Sequence, residues 1–162
     1  MKALVICDST YGNTARIARA IADGLGGPGV ARVVPASDAV TTDQGRPDLV
    51  VVGGPTHRRA LSVGLRAFLD RQPRASLRGV SAATFDTRYH MSAFLSGSAA
   101  RRASRRLRRT GCRFVVAPES FFIERDRPPE GEKRRHEIEH LEPGEIHRAQ
   151  EWGRQLAALV GS

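Results

Sequence analysis

Five short apolar runs alternate with amphipathic stretches along this chain, and that alternation narrows its possible folds more than any other feature. The runs lie at 3–7, 30–34, 48–54, 79–85 and 113–117. Ala3-Leu4-Val5-Ile6-Cys7 and Leu49-Val50-Val51-Val52 are unbroken and partly β-branched, as strands covered on both faces of a parallel sheet read. Between the runs, apolar residues recur at helical spacing: Ile17, Ala18, Ile21, Ala22 and Leu25, then Val63, Leu65, Phe68 and Leu69 ahead of Pro73. Ala99, Ala103 and Leu107 mark a helix over 98–110, and Ala149, Trp152, Leu156 and Leu159 mark a last one over 145–160. Strands alternating with helices predict an α/β fold, a parallel sheet with right-handed crossovers and helices on both faces. At 162 residues, one domain over 1–162 can bury its own core.

The connection between the first run and the first helix carries the densest polar chemistry. Ser9, Thr10, Tyr11, Gly12, Asn13 and Thr14 form a strand-to-helix turn holding three hydroxyls of Ser and Thr, an Asn and a Gly. The first N–H groups of a helix lack internal partners, and its dipole favours negative charge there. Such a turn suits a phosphate monoester. Its plainer use is capping, for which one hydroxyl of Ser9 or Thr10 suffices. The glycine run at 24–29 closes a helix instead of opening one after a strand, so it is not a dinucleotide fingerprint.

The net charge is +9, and Lys2 and Lys133 are the only lysines among 26 basic residues. Charge of this kind bears on partners, not on fold. Arg101, Arg102, Arg105, Arg106, Arg108 and Arg109 stay off the Ala99-Ala103-Leu107 face, as on a solvated helix or one that docks an acidic partner. Nucleic acid is a poor partner, because no recognised motif or interleaved aromatic accompanies the arginines. Cys7 and Cys112 lack any CxxC or metal-ligand spacing and read as reduced, buried thiols of a cytoplasmic protein. No apolar stretch reaches a membrane span. His136 and His140 have i, i+4 spacing without a third ligand, and no metal site is expected. The charged, Pro-interrupted segment 124–143 reads as a solvated excursion. A phosphatase-type Cys-x5-Arg fails because Asn13 stands where Arg is required, and a receiver-type acceptor Asp fails at Gly53-Gly54.

The turn Ser9-Thr10-Tyr11-Gly12-Asn13-Thr14 resembles the FMN-phosphate loop of flavodoxins. Asp48 through Thr56 is similar to the stretch leading to the first flavin-ring loop of that family, and Phe85-Asp86-Thr87-Arg88 falls at the second. Pro118 through Ile123, Pro143-Gly144-Glu145, Ala149 and Trp152-Gly153 resemble its closing strand and helix, so the likeness spans nearly the whole chain. The resemblance implies a flavodoxin-like three-layer sandwich with a five-stranded parallel sheet of order 2-1-3-4-5. It implies that Ser9, Thr10, Tyr11, Gly12, Asn13 and Thr14 hold the phosphate of FMN. Pro55, Thr56 and His57 then line one side of the isoalloxazine, and Phe85, Asp86, Thr87, Arg88 and Tyr89 the other.

His57 and Tyr89 take the places of the large stacking aromatics, and Arg58 that of a glycine that often follows the first. Arg58, Arg59 and Arg88 make the expected flavin edge basic where the carriers are acidic, which predicts a less reducing flavin. The implied function is FMN-mediated electron transfer with a redox partner protein of acidic surface, and no catalytic acid or base is named. The alternatives are an FMN-dependent oxidoreductase acting on quinones or protoporphyrinogen, and an anion-binding module without flavin.

Overall fold

The computed structural model describes residues 1–9, 12–39, 45–56, 60–90, 97–125 and 139–161. Its strands are β1 Ala3–Cys7, β2 Ala31–Pro35, β3 Leu49–Pro55, β4 Ser81–Tyr89, β5 Arg113–Phe114, β6 Glu119–Arg125 and β7 Glu139–Leu141. Its α-helices are α1 Asn13–Leu25, α2 Val63–Arg71, α3 Ala99–Leu107 and α4 Glu145–Gly161, with a 3-10 turn Arg108–Thr110 extending α3.

All seven strands share one sheet in the order β2-β1-β3-β4-β6-β7, with β5 also paired to β4. The expected order 2-1-3-4-5 is present in its first four places, all parallel. The fifth place differs. The apolar run at 113–117 pairs with β4 only through Arg113 and Phe114, and Pro118 then precedes a second strand, β6, which pairs with β4 from Phe85↔Glu119 to Tyr89↔Ile123. Pairing is interrupted over 115–118, and Pro118, which supplies no N–H to a ladder, closes that gap just before β6.

β7 adds an antiparallel edge, pairing Ile123↔Leu141 to Arg125↔Glu139. The two ends of the predicted excursion are therefore ordered strand, while 126–138, including His136, lie outside the described residues.

Two apolar layers flank the sheet. Alternate residues of β1, β3 and β4 face α1 and α4, building a core of Val5, Val51, Ile17, Ile21, Phe85, Phe121, Trp152 and Leu156. Their neighbours along each strand face α2 and α3, where Ile6, Val50 and Val52 meet Leu65, Phe68, Ala103 and Leu107. Helix α3 turns Ala99, Ala100, Ala103, Ser104 and Leu107 inward, which leaves its arginines outside. α1 and α4 cross at two glycines: a Cβ on Gly24 would lie 2.1 Å from the Gln150 carbonyl oxygen, and one on Gly153 would lie 2.4 Å from that of Ile21. Any larger residue would push the helices apart.

Candidate functional site

The connections that follow β1, β3 and β4 leave the carboxyl edge of the sheet beside one another, where an open doubly wound sheet binds its ligands. Thr10 and Tyr11 in the first connection and His57, Arg58 and Arg59 in the second lie outside the described residues.

At the first connection the Ser9 hydroxyl accepts the N–H groups of Gly12 (3.1 Å) and Ala15 (3.3 Å). A side-chain oxygen thus occupies the nest of N–H groups at the start of α1, the position suited to an anion's oxygen. Gly12 adopts φ +85°, and a Cβ there would meet no described residue within 4 Å. The glycine is needed for its left-handed backbone, and no described residue fills the space over it. Serine capping, exchangeable N–H donors and that space together fit a phosphate group.

Asn13 and Thr14 are buried and serve other contacts. The Asn13 amide donates to the Glu139 carbonyl on β7 at 2.9 Å, and the Thr14 hydroxyl shares a hydrogen bond of 2.7 Å with that of Thr87. They tie the start of α1 to β7 and β4.

The residues expected along the flavin ring are placed differently from a loop. β3 runs through Pro55 and β4 through Tyr89, with Gly54↔Asp86 and Pro55↔Thr87 in register, because β6 supplies a partner along the far side of β4. Pro55, Phe85, Asp86 and Thr87 are buried. Phe85 lies in the core, edge-to-face with Phe121 (6.1 Å) and Trp152 (6.5 Å), and its ring fills the space over Gly53. It does not line the sheet edge, and the apolar pattern of 79–85 already marked it as a strand residue.

Asp86 is fully enclosed, 0% exposed. Its Oδ2 accepts the hydroxyls of Thr56 (3.0 Å) and Ser98 (2.7 Å) and the N–H of Ala100 (3.1 Å). Thr56 in turn accepts the N–H of Ala99 at 2.9 Å. The Arg88 Nε lies 3.9 Å from Oδ1, donates to the Ser120 hydroxyl at 3.1 Å, and its guanidinium lies over the Phe122 ring. One carboxylate therefore joins the end of β3, β4 and the start of α3. Asp8 does the same for α2, its Oδ2 accepting the N–H of Leu65 at 3.3 Å. Both acids sit where helix dipoles favour negative charge.

Tyr89 closes β4. Its hydroxyl donates to Glu139 and accepts from Arg125, whose guanidinium lies 4.7 Å from the ring centroid. Burial, reinforced by the bond to Glu139, pushes the phenol up to about 12. One face of this ring is thus covered by Arg125.

Ser98 and Glu139 had no place among the expected site residues. Ser98 carries a readable signal, a serine immediately before the periodic Ala99-Ala103-Leu107, and its hydroxyl caps the Arg101 N–H at 3.2 Å. Glu139 is separated from Asn13 by 126 residues, and no local pattern announces that contact.

Neither a family model nor a curated protein matches the sequence. Solved structures do. A flavodoxin from the domain Archaea superposes with a TM-score of 0.74 at 19% identity over 100% of both chains. A flavodoxin variant from Pseudomonas aeruginosa gives 0.73 at 18% over 100% of both. A flavodoxin, WrbA-like protein from Agrobacterium tumefaciens gives 0.70 at 18%, over 99% of this chain and 97% of that one. Likeness over whole chains at such low identity establishes architecture: this chain has the flavodoxin fold.

Proposed function

We propose that the chain is a single-domain flavodoxin-type protein that binds FMN non-covalently and passes electrons through it. The observation that carries this reading is the β1–α1 turn. At the carboxyl edge of a flavodoxin-fold sheet, no described residue fills the space over left-handed Gly12, and the N–H groups of Gly12 and Ala15 converge on one oxygen, that of Ser9. A phosphate oxygen in place of that hydroxyl takes over the same donors, with the helix dipole behind it.

When bound, FMN supplies the redox chemistry, and the protein supplies position and electrostatics. Ser9 and Gly12 hold the phosphate end. Thr56 and the Asp86 network fix where the connection after β3 begins and where the one after β4 ends. The arginine-rich exterior suits a partner of acidic surface, and the two free thiols suit a reducing compartment such as the cytoplasm.

The test is the visible absorption of the purified protein titrated with FMN and with riboflavin. Saturable binding of FMN, with riboflavin at least about 100-fold weaker for want of charge-assisted bonds to phosphate, supports the proposal. Binding of neither flavin overturns it. Turnover of reduced nicotinamide with a quinone, without an added reductase, would make the loaded protein an oxidoreductase in its own right.

One observation favours a second reading. β4 stays paired through Tyr89 and Arg125 covers one face of that ring, which leaves a flavin at most the other face to stack on. A phosphate-bearing ligand without a large aromatic ring would use the turn and leave Tyr89 as it is.

A further inference from the structure

We propose that the groove between α2 and α3 is a second anion site, built for a small molecule that carries two adjacent phosphates. The groove is open to solvent, has a volume of about 330 Å³ and is lined, among the described residues, by Ala60, Leu61 and the arginines Arg66, Arg102, Arg105 and Arg106. That volume lies at the lower end of the range of small-ligand sites. On α3 the three arginines stand at i, i+3 and i+4, one shared surface of the helix, and Arg66 faces them from α2.

The charges in this groove are poorly compensated. Asp70 is paired with Arg106 and lies 3.7 Å from Arg109. Arg66, Arg102 and Arg105 form no ion pair among the described residues. Arg66 and Arg102 are each the fourth residue of their helix, where the dipole disfavours a cation, and neither helix has an acid in its first turn. Asp8 and Asp86 serve the same helix ends, but through the Leu65 and Ala100 N–H groups, in contacts that are part of the sheet edge.

Like charges gathered around one groove, Arg66 and Arg102 in the first turns of their helices and Arg105 and Arg106 in the last turn of α3, repel one another, and a bound polyanion removes that repulsion. Guanidinium forks match phosphate oxygens two at a time, and three such forks exceed what a single phosphate engages. Ala60 and Leu61 give the groove an apolar wall on which the rest of such a ligand can lie. Four arginines from two helices line this one groove, a concentration of charge that suits a small polyanion. This inference does not depend on flavin binding.

Calorimetric titration with inorganic pyrophosphate, at fixed ionic strength, tests it. The expected result is saturable 1:1 binding that weakens by at least about 100-fold in R66Q/R102Q/R105Q, from about tenfold per charge-assisted contact. The variant R101Q/R108Q/R109Q removes the same charge outside the groove and is expected to bind pyrophosphate within about threefold of wild type, as general electrostatics are screened. Circular dichroism confirms that both variants are folded. Equal weakening in both, full retention in the groove variant (pyrophosphate seated at the β1–α1 turn), or binding of poly-glutamate without pyrophosphate would each overturn the proposal.

Discussion

Replacing Asp86 is the sharpest test of how the sheet edge is held together. Its Oδ2 accepts three donors, from Thr56, Ser98 and Ala100, and the side chain has no exposure to water. Asp86→Ala removes the acceptor from all three and leaves Arg88 without the carboxylate 3.9 Å from its Nε. Hydrogen bonds to a charged group contribute about 1.5–3 kcal/mol each, but they are not additive when they share one acceptor. Removing one partner of a buried charged set costs about 3–5 kcal/mol, and about 4 is the expected loss. With a urea m-value of about 2 kcal/mol/M for a chain of this size, the midpoint falls by about 2 M. Asp86→Asn keeps an acceptor toward Thr56, Ser98 and Ala100 and turns its amide toward Arg88, so its cost is smaller, about 1–2 kcal/mol. Equilibrium urea unfolding followed by circular dichroism reads both. An Ala variant within about 0.5 kcal/mol of wild type, or an Asn variant as damaged as Ala, would refute the network as described.

Gly153→Ala drives a Cβ to 2.4 Å from the Ile21 carbonyl oxygen, and thermal unfolding is expected to show a loss of about 2–3 kcal/mol from overpacking at the α1–α4 crossing. Thr84→Val should do the opposite: the Thr84 hydroxyl is buried without a partner among the described residues, so the near-isosteric apolar side chain stabilises by about 1 kcal/mol, and a loss of stability would mean that the hydroxyl is satisfied. Burial raises the Cys7 thiol from 9.0 to about 11 and the Tyr89 phenol from 10.0 to about 12. Both folded values lie above the unfolded ones, so the contribution is whole below pH 9 and is lost as pH rises to about 12; urea midpoints measured from pH 8 to 12 should fall through that window. Gly12→Ala, at φ +85°, strains the turn by about 1 kcal/mol and should weaken FMN more than it lowers the melting temperature.

Periodicity made most of this fold readable. Unbroken apolar runs such as Leu49-Val50-Val51-Val52 are buried on both faces as strands, and the Ala99-Ala103-Leu107 spacing places a helix whose arginines point outward. What escaped was set by pairing between distant segments. β4 continues past Phe85 because β6 offers it hydrogen bonds, and Asp86-Thr87-Arg88-Tyr89 read as polar loop because buried polar strand residues look polar in sequence. The partners that make their burial tolerable, Ser98 and Thr14 among them, stand apart in the chain. The run 113–117 is strand only at Arg113 and Phe114, so Pro118 did not mark its end, whereas the closing strand expected near Pro118–Ile123 by resemblance is β6, Glu119–Arg125.

The central claim is that the β1–α1 turn holds the phosphate of FMN, and the phosphorus NMR spectrum of the FMN-saturated protein tests it directly. The second ionisation of a free phosphate monoester has a pKa of about 6, so the free ligand's resonance moves between pH 5 and 8. Donors from the N-terminus of α1 stabilise the dianion, and the account predicts a bound resonance that stays fixed over that range. A bound flavin whose phosphorus resonance titrates like that of free FMN would contradict the account, because its phosphate would lie in solvent.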